Sequence, residues 1–244
     1  MAAIIKLEHV TKRFGGLKAV SDFSGEVEEG TIVGLIGPNG AGKTTLFNMM
    51  ANTFHPTEGK ITYLGEDISN QKTEKMAHIG LARTFQVTKP FGEMTLIENI
   101  MVGSFLHTSH VGEAERLAEE VYRFVGVSAE KDMRQRADSA TTVTLKKLEI
   151  ARALATKPKL LLLDEVMAGC NPQEKLELVE VCRRIRNSGV TILIIEHDIK
   201  TIMSLCDKIF VLNYGEKLME GTPDEVGNDK RAISAYLGED FANA

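Results

Sequence analysis

A glycine-rich segment near the amino terminus constrains the fold of this chain more than any other feature. Residues 37–44 read GPNGAGKT, which matches the pattern G-x-x-x-x-G-K-[ST]. The segment follows an apolar stretch, residues 32–36, and precedes residues 44–51, which have the composition of a helix. Because strand, loop and helix occur in the required order, the pattern predicts a phosphate-binding loop and not a simple glycine turn.

The residue types in this loop suit a nucleoside triphosphate. Glycines allow backbone N–H groups to converge on a phosphate without a Cβ in the way, and a helix start adds partial positive charge. Lys43 would supply a charge for the β- and γ-phosphates, and the Thr44 hydroxyl can ligate Mg²⁺. The predicted nucleotide-binding residues of this segment are Asn39, Gly40, Ala41, Gly42, Lys43, Thr44 and Thr45.

Two further apolar stretches end in polar side chains. Residues 160–163 are four leucines followed by Asp164 and Glu165, and His197 follows residues 191–195 closely. Parallel strands end at the edge of the sheet where ligands bind. We predict that Asp164 holds Mg²⁺, directly or through water, and that Glu165 orients and deprotonates the attacking water. His197 is predicted to sense the γ-phosphate, although a lone histidine is more often structural.

The order of hydrophobic patterns predicts an α/β fold. Strand-like segments occupy residues 4–9, 24–27, 31–36, 59–63, 160–163, 191–195 and 209–213. From residue 95 to 156 the pattern is helical, with one apolar face formed by Ala114, Leu117, Val121, Phe124 and Val125. Strands alternating with helices favour a mostly parallel sheet covered on both faces. The helical section therefore reads as an insert and not as an independent domain.

A second helix has a clear start. Asn171 can cap it, Pro172 suits its first turn, and Glu174 lies three residues after the cap. Its predicted apolar face consists of Leu178, Val181, Cys182 and Ile185.

Composition excludes several classes of protein. The net charge is −5 with no long basic run, which argues against a broad nucleic-acid surface. No apolar stretch approaches the roughly 20 residues that span a bilayer, and the first residues lack the pattern of a signal peptide. We therefore expect the chain to fold in the cytoplasm. Cys170, Cys182 and Cys206 form no C-x-x-C pair and are expected to be reduced thiols. His107 and His110 are interpreted as a loop pair without a metal.

Taken in order, these motifs resemble those of an ABC cassette over essentially the whole chain. The segments that carry the resemblance are the phosphate loop, Gln86 after residues 83–85, residues 148–154 (LEIARAL), Asp164 with Glu165, residues 168–172 (AGCNP), His197 and residues 211–226. Within the family, the AGCNP and LEIARAL segments resemble the cassettes of branched-chain amino-acid importers.

The resemblance implies the architecture and the reaction. We expect a P-loop NTPase (RecA-like) core with an antiparallel β section and an inserted α-helical subdomain. Residues 1–240 would form one domain, with the core at 1–87 and 158–240 and the insert at 88–157. The expected reaction is hydrolysis of ATP to ADP and phosphate, with Mg²⁺ as the metal.

Further site residues follow from the resemblance alone. Phe14 would stack on adenine, and Val20 would line the same pocket. Gln86 would touch Mg²⁺ and the attacking water while linking the core to the insert. Asn171 takes the place of the more usual aspartate in the segment that crosses the interface between two cassettes.

One segment departs from the family pattern. The signature, usually LSGGQ, falls at residues 140–144, which read ATTVT, and Lys146 and Lys147 replace the following Gln-Arg pair. We predict that Thr141, Thr142 and Val143 contact nucleotide bound to an opposing cassette. Val143 replaces a glycine, and its β-branched side chain resists positive φ. A heterodimer with a regular cassette is therefore favoured, and a homodimer remains open.

The resemblance also implies partners and a location. The partners are integral membrane permease subunits and, indirectly, a substrate-binding protein, with no nucleic acid. The location is the cytoplasmic face of the inner (plasma) membrane, as a peripheral subunit. Alternatives are a cassette of a lipopolysaccharide-type exporter and a non-transport ABC ATPase of DNA repair or translation. A P-loop GTPase is disfavoured because the sequence has no Asn-Lys-x-Asp motif.

Overall fold

The computed structural model describes residues 2–84 and 89–237. Its strands are β1 (Ala3–Phe14), β2 (Leu17–Glu28), β3 (Ile32–Ile36), β4 (Glu58–Tyr63), β5 (Glu66–Asp67), β6 (Leu81–Arg83), β7 (Leu160–Asp164), β8 (Thr191–Ile195), β9 (Lys208–Asn213) and β10 (Glu216–Gly221). Its α-helices are α1 (Lys43–Met50), α2 (Thr73–His78), α3 (Leu96–Ser104), α4 (Val111–Val125), α5 (Thr142–Leu154), α6 (Pro172–Asn187), α7 (Ile199–Leu205), α8 (Pro223–Asn228) and α9 (Lys230–Leu237).

A mostly parallel sheet forms the centre of the molecule. Its strand order is β10-β9-β3-β8-β7-β6, and only β10 pairs antiparallel within it. Every residue of β3, β7 and β8 is buried. Such strands are covered on both faces, which explains why the sequence shows continuous apolar runs there and not alternation. The predicted parallel α/β fold is confirmed.

An antiparallel sheet, ordered β2-β1-β4-β5, covers one face of the parallel sheet together with α1. Phe23 of β2 meets Phe210 of β9 edge-to-face, with ring centroids 5.6 Å apart. Both β1 and β2 are longer than predicted, and their pairing is interrupted by register shifts. His9 and Asp22 have positive φ values of 53° and 52°. These irregularities interrupt the alternating pattern, so the sequence predicts only part of each strand.

The inserted helices α3, α4 and α5 lie between β6 and β7 along the chain, and they pack on one another. They share a continuous hydrophobic cluster with the other face of the parallel sheet, which includes Ile32 and Leu161. The predicted apolar face of α4 is partly wrong. The buried residues of α4 are Ala114, Ala118, Tyr122 and Val125, whereas Phe124 is 38% exposed.

The difference in α4 has a physical cause. The face through Ala118 and Tyr122 also follows three- and four-residue spacing, so periodicity alone did not choose between the two faces. The Tyr122 hydroxyl donates a hydrogen bond to the backbone oxygen of Ala129 at 3.1 Å. This contact allows a ring with a polar end to replace Phe124 in the core.

The remaining expectations concern α6, the cysteines and membrane spans. Helix α6 begins with the predicted capping box, in which Asn171 and Glu174 each accept from the other's backbone N–H. Its predicted apolar face is buried, together with Val179. The three cysteines are free and buried. Within the described residues, no helix has both the length and the apolar character needed to cross a membrane.

Candidate nucleotide site

Loops from the carboxyl ends of β3, β7 and β8 converge on one cavity. Its volume is about 590 Å³, within the range of small-molecule sites, about 300 to 1,000 Å³. The lining residues are Leu17, Lys18, Ala19, Asn39, Gly40, Ala41, Gly42, Lys43, Thr44, Thr45, Glu165, His197, Tyr214 and Gly215. The segments predicted separately to bind phosphate, activate water and sense the γ-phosphate therefore line a single cavity.

The loop between β3 and α1 needs glycine at two positions where other backbone lies very close. A Cβ on Gly37 would come within 2.2 Å of the Leu212 carbonyl oxygen, and one on Gly42 within 2.4 Å of that of Ala19. Gly42 also has a φ of 99° and directly precedes α1. With no side chain at either position, the loop packs against β2 and β9 while its N–H groups remain near the cavity.

Lys43 is 6% exposed at the first residue of α1. Its ammonium donates hydrogen bonds to the carbonyl oxygens of Gly37 at 2.7 Å and Pro38 at 2.9 Å. Burial lowers the pKa of Lys43, and the nearby charges of Glu165 and Asp164 oppose that shift. The loop thus orients a buried cation at its own centre, where the phosphates of a nucleotide would need it.

Asp164 at the end of β7 is 1% exposed and forms an ion pair with Arg83 of β6, Oδ2 to Nη2, at 2.8 Å. Arg83 also donates to Asn48 Oδ1 of α1 at 2.5 Å. Burial raises the pKa of Asp164, and the hydrogen bond and charge of Arg83 lower it. The other oxygen, Oδ1, is buried and has no hydrogen-bond partner among the described residues.

Glu165 and His197 both line the cavity and contact each other directly. Glu165 Oε1 and His197 Nε2 are 2.8 Å apart, and the carboxylate is largely buried whereas the imidazole is about half exposed. The Glu165 backbone has a φ of 52°, an unusual conformation for a non-glycine residue. Such conformations are concentrated at functional sites, where surrounding contacts hold them.

Two residues predicted to contact adenine lie beside the cavity and not in its lining. Phe14 pairs with Leu17 across the β1–β2 turn, is 47% exposed, and meets Phe54 edge-to-face at 5.4 Å. The Lys12 ammonium lies 5.3 Å from the Phe14 ring centroid. Val20 is fully buried beneath Gly42.

The signature residues lie outside this cavity, at the start of α5. Thr141 caps the helix by accepting a hydrogen bond from the Thr144 N–H, and its side chain, like that of Thr142, is exposed. Val143 lies in the first turn of α5 and does not have a positive φ. The expected conflict between Val143 and a positive φ is therefore wrong, because the helix already includes this residue. Gln86 lies outside the described residues.

Several residues around the site were not predicted. Leu17, Lys18 and Ala19 reach the cavity from β2, and Tyr214 and Gly215 reach it from the β9–β10 turn. The Gly215 N–H donates to the Ala41 carbonyl oxygen at 3.0 Å, which ties that turn to the phosphate loop. No local motif marks these contacts, since they join segments that are distant from one another along the chain.

Comparison with known proteins gave consistent matches. The family model for ABC transporters matches residues 20–168, and a model for the branched-chain amino acid ATP-binding cassette transporter matches residues 216–242. The high-affinity branched-chain amino acid transport ATP-binding protein BraF of Pseudomonas aeruginosa is 39% identical over 97% of this chain and 98% of its own length. The corresponding protein LivG of Escherichia coli is 37% identical over the same shares, 97% and 98%.

Solved structures agree with these matches. A nucleotide-free ATP-binding cassette from an ABC transporter superposes with a TM-score of 0.86 at 28% identity, covering 98% of this chain and 100% of that one. An ATP-binding cassette of an ABC transporter in its ADP conformation superposes with a TM-score of 0.87 at 28% identity, with the same coverage of 98% and 100%.

Proposed function

This chain belongs to the ATP-binding cassettes of ABC transporters, which hydrolyse ATP, and from that premise we propose that it powers the import of branched-chain amino acids through separate membrane subunits. The main support for this substrate class is the match of residues 216–242 to the family model of branched-chain amino acid cassettes. Relatives named for the same transport, at 37% to 39% identity over nearly the full length, support it.

Mg²⁺ fits the residues at the end of β7. Asp164 Oδ1 is a buried oxygen without a hydrogen-bond partner among the described residues, and it could accept a hydrogen bond from a metal-bound water. Thr44 adds a hydroxyl from the start of α1 and Gln86 an amide oxygen. When bound, the metal would neutralise charge on the β- and γ-phosphates.

The chain's own residues account for the rest of the reaction. The N–H groups of residues 39–45 and the Lys43 ammonium bind the phosphates. Glu165 accepts the proton of the attacking water, and His197 holds the Glu165 carboxylate and reaches towards the γ-phosphate. Gln86 orients the same water. Phe14 stacks on adenine, with Val20 beneath it.

A second cassette would complete the site through residues at the start of α5. There Thr141 and Thr142 present exposed hydroxyls, and Val143 follows in the first helical turn. These side chains differ from the glycines of a regular signature, so we favour a heterodimer whose partner has one. The site containing Lys43 and Glu165 would then hydrolyse ATP rapidly, and the reciprocal site slowly.

The experiment for this asymmetry replaces the catalytic glutamate of each cassette in turn in the reconstituted transporter. Loss of most ATPase activity from Glu165→Gln alone would support the asymmetric model. Equal losses from both substitutions would instead favour a symmetric arrangement, in which the threonines replace the usual serine and glycine.

The permease subunits would dock on the groove between the core and the insert. This cavity of about 590 Å³ is lined by α2 and β6 on one side and α3 and α5 on the other. Val102 and Phe105, both lining it, are 41% and 44% exposed. It adjoins the segment that leads to Gln86, at the proposed boundary between the core (1–87 and 158–240) and the insert (88–157).

Docking there would make the chain a peripheral subunit at the cytoplasmic face of the inner membrane, and a substrate-binding protein would act indirectly. Affinity purification of the full chain from membranes tests this, with Phe105→Glu as the disrupting variant and exposed Leu176→Glu on α6 as the control. Retention of the same membrane proteins by Phe105→Glu would contradict docking at this groove.

Substrate class requires a separate experiment. Uptake of labelled leucine, isoleucine and valine is compared in cells with the unchanged chain, with Glu165→Gln, and without the chain. Loss of uptake in the last two supports the proposal. Normal uptake together with a defect in lipopolysaccharide export would favour the exporter alternative.

A further inference from the structure

Two residues after β7, Glu165 and Met167, are held by three consecutive residues at the end of β8, Ile195, Glu196 and His197. The Glu165 N–H donates to the Ile195 carbonyl oxygen at 2.9 Å. The Met167 N–H donates to Glu196 Oε1 at 2.7 Å. His197 Nε2 lies 2.8 Å from Glu165 Oε1. Glu196 supplies the middle contact with its side chain, and the reaction described above gives this carboxylate no role.

The segment held by Glu196 needs an external restraint. Glu165 has a φ of 52°, a left-handed conformation that costs a non-glycine residue about 1 to 2 kcal/mol. Tight turns follow, in which Ala168 donates to the Glu165 carbonyl oxygen at 3.1 Å and Cys170 to that of Met167 at 3.2 Å. The Glu196 carboxylate lies at the middle of this series and fixes it to the sheet.

Glu196 is itself an unusual residue in this position. It is 3% exposed, and no lysine or arginine of residues 2–84 and 89–237 forms an ion pair with it. Burial raises the pKa of Glu196, and so does the charge of Glu165, whereas the Met167 N–H and the charges of Lys146 and Lys175 lower it. The net result is a pKa of about 7. An uncharged acceptor would hold Met167 without the cost of burying a charge.

We propose that Glu196 is a positioning residue for ATP hydrolysis: its buried carboxylate fixes the turn after Glu165, and thereby the direction of the Glu165 carboxylate and the start of the segment that leads to α6. This inference rests on the proposed role of Glu165 as the base. Functional sites commonly contain a buried ionisable residue next to a reacting group, although burying its charge lowers stability.

Three charged groups act on Glu196, and its own charge raises the pKa of the nearby thiols of Cys170 and Cys182. Glu165 lies at the end of β7, Lys175 is on α6, and Lys146 is on α5 and only 7% exposed. Lys175 is already paired with Asp198 at 2.6 Å. Lys146, in contrast, has no ion pair among the described residues. It lies on α5, the helix that begins with the signature residues. Through the charge of Lys146, the positioning of Glu165 is sensitive to α5.

The test uses Glu196→Gln and Glu196→Leu in the full chain, with kcat and KM measured from about pH 5.5 to about pH 9. Glutamine keeps an oxygen that accepts the Met167 N–H but cannot ionise, whereas leucine has a similar volume and accepts nothing. We expect leucine to lower kcat about 10-fold to about 100-fold, with KM changed less than about 2-fold, because the hydrogen bond is lost.

The pH profile separates positioning from a merely structural role. In the unchanged chain, ionisation of Glu196 near pH 7 strengthens the bond to Met167. We expect kcat to rise there about 3-fold to about 5-fold more than in Glu196→Gln, because charged hydrogen bonds are roughly twice as strong as neutral ones. Other titrating groups are common to both chains. Lys146→Gln should move this difference to higher pH, since its charge lowers the pKa of Glu196.

Hydrogen exchange at the Met167 amide gives a readout independent of turnover. It should be faster in Glu196→Leu and near normal in Glu196→Gln. The proposal is overturned if folded Glu196→Leu keeps its kcat, or if Glu196→Gln follows the unchanged chain at every pH. If leucine prevents folding, the glutamine profile decides alone.

Glu165→Gln, measured in parallel, separates the two proposals. Normal hydrolysis by this variant would remove the base on which the inference rests. Loss of hydrolysis in Glu165→Gln with full activity in Glu196→Leu would overturn only the positioning role.

Discussion

Lys43 and Asp164 of the nucleotide site each have a partner within the chain itself. Lys43 is held by two carbonyl oxygens of its own loop, and Asp164 by Arg83. Separate contacts thus hold the Lys43 ammonium and the Asp164 carboxylate. The site therefore offers a cation to phosphate and a carboxylate to a metal. Such an arrangement needs little reorganisation when a ligand binds.

Lys43→Ala is expected to weaken MgATP binding by about 10-fold to more than about 100-fold, because it removes a charged donor worth about 1.5 to 3 kcal/mol. Isothermal titration calorimetry measures the effect. Lys60→Ala, which removes an exposed lysine of β4 outside the cavity, is the matched control. Equal affinity in the two variants would contradict the phosphate-loop assignment.

Glu165→Gln is expected to bind ATP normally and to lower kcat by about 100-fold or more, because an amide cannot accept the proton of water. The amide oxygen or nitrogen can still meet His197, so the local shape is retained. Nucleotide affinity and steady-state hydrolysis in the assembled transporter provide the two measurements. Turnover close to that of the unchanged chain would exclude Glu165 as the base.

Three helices, α5, α6 and α7, begin at residues whose side chains cap them. Asn171 caps α6, Thr141 caps α5 and Asp198 caps α7, each by accepting a backbone N–H from three residues further along. A cap fixes where the helix starts and therefore where the preceding loop stops. The loops after β7 and β8 are thereby held at both ends, by a buried strand and by a capped helix.

Asn171→Ala is expected to lower the free energy of unfolding by about 1 kcal/mol, the usual loss when an N-cap is removed. Asn171→Asp should change it by less than about 0.5 kcal/mol, because aspartate caps equally well and favours a helix amino terminus. Urea denaturation of both variants tests this. Similar stabilities for alanine and aspartate would show that the cap contributes little.

The parallel sheet separates two hydrophobic clusters, and the buried ionisable groups lie near its carboxyl edge. One cluster joins the sheet to the antiparallel strands and α1, and the other joins it to the inserted helices and α6. Asp164, Glu165 and Glu196 are all less than a tenth exposed at that edge. Stability of the whole molecule should therefore depend on pH through this part of the structure.

Glu196 determines the sign of one such dependence. Its folded-state pKa of about 7 exceeds the ordinary value of 4.5, so the folded state binds the proton more tightly. That stabilisation is complete below the unfolded pKa and is lost as the pH rises through the folded value. Relative to Glu196→Gln, the unchanged chain should lose on the order of 3 kcal/mol across this window.

Denaturation of both chains at several pH values provides the measurement. Because all other titrating groups are shared, the difference between the curves isolates Glu196. Parallel curves between the two pKa values would contradict this account.

Local sequence was sufficient wherever a function or an element depends on neighbouring residues. The phosphate loop, the strands around it and the start of α6 are all encoded by short patterns of glycine, apolar and capping residues. The buried face of α4 was not predictable in this way, because two faces had the same periodicity. The long, irregular β1 and β2 were recognised only in part, since bulges interrupt the alternation.

The order of motifs determined the family, the parallel sheet and the residues expected to handle phosphate, metal and water. Folding decided the contacts between distant segments: the Arg83–Asp164 pair, the Gly215 bond to the phosphate loop and the Glu196 bond to Met167. The reason is geometric. Parallel strands bring residues from positions 37, 165, 197 and 215 to one edge, and a hydrogen bond depends on that convergence and not on separation along the chain.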